Sequence, residues 1–187
     1  KCVDEGTGNY LCNYMTTISG SLRLAVTYGS DNIKGSPFTV RVIPNVLNAT
    51  NTLVYGHSIS SATAGVREVV KLTARDRAGN YLYTGWDNFM IKMESQTSSH
   101  HLIPTFNDFK NGTYVISYRA TRAGPYKLSV LYQRLHVDDS PYLIGVVAAP
   151  VDASLSKVLW KSSYLCQSAA LIGHRCASVN PAVRYLI

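Results

Sequence analysis

The stretch NGTYVISYRATRAGPYKLSVLYQRLHVDDSPY, residues 111–142, decides the fold. Tyr114, Ile116 and Tyr118 alternate with polar or variable positions, and so do Tyr126, Leu128, Val130 and Tyr132 after Gly124. Successive side chains on a strand point to opposite faces, so a period of two predicts two half-buried strands. Gly124-Pro125 marks the turn between them. Ser140-Pro141 opens a third apolar stretch, Tyr142 to Val147, with proline where a strand start tolerates it. The tyrosines read as core side chains with hydroxyls that reach water.

The same pattern stands earlier as GNYLCNYMTTISGSLRLAVTYGSDNIKGSPF, residues 8–38. Tyr10 and Tyr114, Gly20 and Gly124, Tyr28 and Tyr132, Pro37 and Pro141 are each 104 positions apart. A constant offset without a gap is the mark of a unit repeated in tandem. One departure is Asp139, which stands where the first copy has Gly35, so that turn is expected to differ.

Through Asp108, Gly112, Tyr114, Tyr118, Gly124, Tyr126, Val137 and Ser140-Pro141-Tyr142 the pattern resembles the filamin (actin-binding protein) repeat, an immunoglobulin-like module. The resemblance covers about the first four-fifths of the chain. It implies an all-β fold of tandem seven-strand sandwiches, with strands A, B, E and D in one sheet and C, F and G in the other. On that mapping residues 1–44 supply the end of one repeat, from the last of strand D at Cys2 onward. Its strands A to C are expected upstream. Residues 45–148 form a complete repeat: A at Leu53-Val54-Tyr55, B at Glu68 to Thr73, C at Phe89 to Met93, D at His101 to Phe106. Pro104 within D cannot donate to a ladder and argues for an edge strand. Between B and C, Asp76-Arg77-Ala78-Gly79-Asn80 resembles the family's Asp-x-x-Gly-Asn turn, in which Asp and Asn bond nearby amides and Gly takes positive φ. Residues 149–187 begin like a third repeat at Val151 to Trp160; beyond that they read as a divergent repeat, a capping segment or a partner-binding tail.

Composition bounds the chemistry. The net charge is +7, but the 18 basic residues are scattered. Spaced Arg67, Lys71, Arg75 and Arg77 read as a solvated face rather than a nucleic-acid groove. No apolar run nears the roughly 20 residues that span a bilayer. Phosphate loops, zinc-ligand spacings and nucleophile elbows are absent, so no enzyme, metal or cofactor is expected. Asp138-Asp139 reads as a turn former, and adjacent His100 and His101 point to opposite faces of a strand.

Four cysteines fall in equally spaced pairs, Cys2 with Cys12 and Cys166 with Cys176. Either local disulfides or buried thiols fit, since Cys2 and Cys12 occupy the core-facing positions of Phe106 and Ile116 in the second copy. Asn48-Ala-Thr and Asn111-Gly-Thr are N-glycosylation sequons, both expected on exposed loops. Cysteines and sequons together lean toward an extracellular or cell-surface scaffold or adhesion protein. A cytoplasmic actin cross-linker, or a substrate-binding repeat of a ubiquitin-ligase-associated protein, is the alternative. The resemblance further implies partners among other repeats of the chain and among proteins that add a strand beside C and D. Met90, Lys92, His101 and Ile103 would line that groove with an apolar floor and a basic rim.

Overall fold

The computed structural model describes residues 2–150, of which 2–147 form one compact unit. The third-repeat expectation beyond Pro150, with Cys166 and Cys176, lies outside the described residues. In chain order the strands are β1 (Cys2–Asp4), β2 (Tyr10–Cys12), β3 (Gly20–Leu24), β4 (Thr27–Tyr28), β5 (Asp31–Asn32) and β6 (Phe38–Val42). Then come β7 (Leu53–Tyr55), β8 (Ser61–Thr63), β9 (Glu68–Thr73), β10 (Phe89–Ser95), β11 (His101–Leu102) and β12 (Thr105–Asp108). The last four are β13 (Thr113–Tyr118), β14 (Gly124–Tyr132), β15 (Leu135–His136) and β16 (Tyr142–Val147).

From Leu47 onward two sheets face each other. One runs β12-β13-β9-β7 and the other β11-β10-β14-β16-β8, with β15 folded back on β14. Alternation chose the faces: Tyr114, Ile116 and Tyr118 from β13 meet Tyr126, Leu128 and Val130 from β14, with Val70, Leu72, Met93 and Ile144 between them. Burial of these apolar side chains is the main favourable term in forming the sandwich. Phe89, Phe106 and Tyr114 close one end, with the Phe106 and Tyr114 rings stacked 5.4 Å apart and Phe89 edge-on to Tyr114 at 5.0 Å.

Two expectations are corrected. The stretch assigned to strand D divides at Pro104: β11 pairs with β10, whereas β12 pairs with β13 in the opposite sheet. A residue without an N–H suits a point where the chain leaves one ladder for another. Strand A lies at Leu53–Tyr55 as expected, β7 on β9, and a further short strand, β8, joins the other sheet parallel to β16. Four of the tyrosine hydroxyls are anchored on protein groups. Tyr114 donates to the Asp87 carboxylate, Tyr118 to the Ser58 carbonyl, Tyr126 to the Arg122 carbonyl at 3.2 Å, and Tyr142 to Asp138 at 3.3 Å. A buried hydroxyl without such a partner would be costly.

The offset of 104 survives in the ladders. Cys2 lies opposite Cys12 as Phe106 lies opposite Ile116, and Gly20 and Gly124 share an unusual backbone, φ 128 and 133. Among the described residues none before Leu47 is buried. The first copy has β1, β2, β3 and β6 but, among the described residues, no counterparts of β7, β9 and β10, and Cys2 and Cys12 are exposed where Phe106 and Ile116 turn inward. The turn with Asp139 does differ: left-handed φ falls on Gly35 in the first copy and one place earlier, on Asp138, in the second. Asp138 is also more than a turn former, since its carboxylate accepts the Val54 N–H at 3.0 Å and ties β7 to this turn.

Candidate functional site

The candidate site is the outer edge of β10. Its inner edge pairs with β14 along all seven residues, from Phe89 opposite Tyr132 to Ser95 opposite Tyr126. Outside, β11 covers only the far end, where Met93 faces Leu102 and Glu94 faces His101. The Ser95 N–H bonds the His100 carbonyl on that side at 3.1 Å. Main-chain groups alternate sides along a strand, so those of Ile91 also point outward, beyond the reach of β11. Phe89 satisfies its own N–H locally on the Asp87 carbonyl at 3.1 Å.

Met90 and Lys92 are exposed on the outer face of this sheet, as expected. His101 is exposed but sits beside Glu94, two residues along from Lys92. Ile103, 93% exposed, belongs to the two-residue link before β12. The four residues therefore border one half-covered edge instead of lining a single groove. The rim is mixed in charge rather than basic, because Glu94 lies 3.7 Å from Lys127 in an ion pair.

The reading of the sequence missed Trp86. It is 77% exposed just before β10, with φ 74. The Asp108 carboxylate holds it there, accepting the Trp86 N–H at 2.7 Å and the Lys110 N–H at 2.6 Å. The Lys110 ammonium stands 4.2 Å from the indole centroid, a cation–π contact. A side chain at Gly85 would run into Asp108 and the Lys110 backbone, so the glycine lets these loops meet. A shallow groove of about 470 Å³ follows from Trp86 past Met90 to Tyr132, Gln133 and Arg134. Beneath it Asp87 has its carboxyl raised above the usual range, chiefly by burial; the Tyr114 hydrogen bond opposes that and the nearby Asp108 charge adds to it. The only signal in the sequence was Gly-Trp ahead of a strand, too common to single out.

Cys2 and Cys12 are joined as a disulfide. Asn111 is exposed in the turn before β13, its side-chain oxygen accepting the Thr113 N–H at 3.1 Å. Asn48 is only half-exposed, contrary to expectation. Its side-chain oxygen caps the Asn51 N–H at 3.1 Å and accepts the Thr50 hydroxyl at 2.7 Å. Among the described residues no three His, Cys, Asp or Glu side chains converge to hold a metal ion, and no helix is long and apolar enough to cross a membrane.

A family model described as the Filamin/ABP280 repeat matches residues 46–143. Mouse Filamin-C is 26% identical over 152 residues, 80% of this chain and 5% of its own length. The alpha chain of the flagellar outer-arm dynein of Chlamydomonas reinhardtii is 27% identical over 113 residues, 58% of this chain and 2% of its own. The chain thus spans only a small part of the curated relatives it matches. Among solved structures, the Escherichia coli adhesin FdeC superposes with a TM-score of 0.56 at 16% identity, over 85% of this chain and 50% of that one. At that identity the likeness concerns the fold.

Proposed function

The chain belongs to the filamin/ABP280 repeat family, and on that premise we propose that it is a non-enzymatic interaction module of a tandem array that takes an extended partner segment as an added strand along Phe89 to Lys92. One observation carries the reading: the Ile91 main-chain groups face outward on an edge that β11 covers only at Met93 and Glu94. An added strand gains main-chain hydrogen bonds there, while alternate side chains meet Met90, Lys92 and the Trp86 groove and select the sequence. Lys92 and Pro104 also act as guards against edge-to-edge aggregation. Met90→Glu in the intact protein is the test. Recovery of partners from native extract should fall at least fivefold with the melting temperature unchanged within about 1 °C, as for a surface substitution. Undiminished recovery removes this edge from consideration.

The setting we propose is the cell surface or extracellular space. It is supported by the Cys2–Cys12 disulfide, since such bonds persist in oxidising compartments, and by the exposed sequon at Asn111. Mass spectrometry of native material without reduction should find Cys2 linked to Cys12 and Asn111 glycosylated. Free thiols with unmodified Asn48 and Asn111 would favour the second reading, a cytoskeletal scaffold, which the similarity to Filamin-C supports.

A further inference from the structure

Asp76 sits almost fully buried, 2% exposed, at the head of the turn between β9 and β10. One carboxylate oxygen accepts the N–H groups of Ala78 and Asn80, both at 2.9 Å. The other accepts the N–H of Asn45, in the connector between the two copies, at 3.0 Å, and the Asn80 side-chain amide at 2.9 Å. Asn51 adds bonds to the Asp76 and Arg77 carbonyls at 3.2 and 2.8 Å. The turn is thereby fixed, and the Asn80 amide is aimed at the preceding copy. Its oxygen accepts the Ser19 N–H at 2.9 Å, and its nitrogen donates to the Thr17 carbonyl at 2.8 Å. A side-chain amide carries one acceptor and two donors, so it can pair with a main-chain segment as another peptide group would.

Thr17 to Ser19 has a counterpart 104 residues on, Thr121 to Ala123. Both loops run into a glycine of nearly the same φ, Gly20 and Gly124. They differ in what covers them. Ser19 is half-buried, whereas Thr121, Arg122 and Ala123 are exposed. Among the described residues the Thr121 carbonyl and the Ala123 N–H have no hydrogen-bond partner. Both Asn45 and its counterpart Ala149 retain an N–H for the aspartate of such a turn.

From this we infer that Thr121–Ala123 is a docking surface for the Asp-x-x-Gly-Asn turn of another repeat of the same kind, and that Asn80 is the key residue of a joint that propagates along the array. The partner is a module like residues 45–148. Residues 180–184, at the same offset in this chain, read Asn-Pro-Ala-Val-Arg and do not carry the Asp-x-x-Gly-Asn sequence. The joint is independent of the β10 edge, so either can fail without the other.

Amide hydrogen exchange by NMR tests it. In the full chain, Asn80→Ala should speed exchange at Ser19 about tenfold, the effect of two hydrogen bonds of ordinary net strength, with Leu72 and Leu128 unchanged. A second copy of residues 45–148, inserted after Ala148 of the full chain to keep the spacing, should slow exchange at the first Ala123 about tenfold. Asn80→Ala in the inserted copy alone should restore the fast rate. An unchanged Ser19 rate in the first variant overturns the proposal without need of the extended chain. So does an Ala123 amide that exchanges equally fast with and without the following copy.

Discussion

Asp76 shows how one side chain can serve a turn, a connector and a neighbour at once, and its pH dependence follows from the same contacts. Burial alone would raise its carboxyl, but bonds from the Asn80 side chain and from the N–H groups of Asn45, Asn80 and Ala78 outweigh it and hold the group below its ordinary 3.8. A group whose folded value is depressed adds stability above the unfolded value and loses it as the pH falls through the folded one. Asp76→Asn should cost about 2 kcal/mol at pH 7, in the range for hydrogen bonds to a charged group. The difference from the parent should narrow as the pH drops below 3.8, as urea denaturation at several pH values would show. The turn itself was legible through its resemblance to the family's Asp-x-x-Gly-Asn connection, and Gly79 does take φ 85. That Asn80 reaches Ser19 was not, since the partner lies 61 residues away. The tyrosine hydroxyls escaped for the same reason; a two-residue period tells which face a ring takes but not which carboxylate waits across the sheet.

The strands that sequence placed best were those with the longest clean alternation, β13 and β14, and the copy of their pattern in β2 and β3. Those it placed worst were short ones set by what lies beside them, as with β8, β11 and β15. His101 to Phe106 carries no alternation long enough to reveal a change of sheet; Pro104, read as the sign of an edge, does stand between two edge strands, β11 and β12, and also marks the crossing from one sheet to the other. The same dependence on neighbours appears in the turn from β12 to β13. Gly112 has φ 80, and a methyl group there would meet the Leu82 carbonyl head-on. Gly79 has a similar φ with open space around it. Gly112→Ala should therefore cost at least about 3 kcal/mol in a urea titration, combining the left-handed penalty with overpacking, and Gly79→Ala only about 1 to 2. Equal losses would mean that the approach of Gly112 to Leu82 is not tight.

At the scale of the molecule, the offset of 104 residues leads to an expected repeat boundary near residue 45, and the two-sheet core runs from Leu47 to Val146. Residues 45–148 expressed alone should unfold in a single cooperative transition by circular dichroism. Residues 1–44 alone should not, because β1, β2, β3 and β6 lack the counterparts of β7, β9 and β10 that complete the two sheets. A stable, monomeric 1–44 would overturn the repeat boundaries. The parallel seating of β8 on β16 has a mechanical side. These segments lie near the two ends of the repeat and run the same way, bracketed by Gly145 N–H to the Ser60 carbonyl at 3.0 Å and Ala64 N–H to the Val147 carbonyl at 2.8 Å. Tension transmitted along a string of such modules would try to slide one segment past the other, loading the whole ladder in shear so that its bonds give way together instead of unzipping one by one.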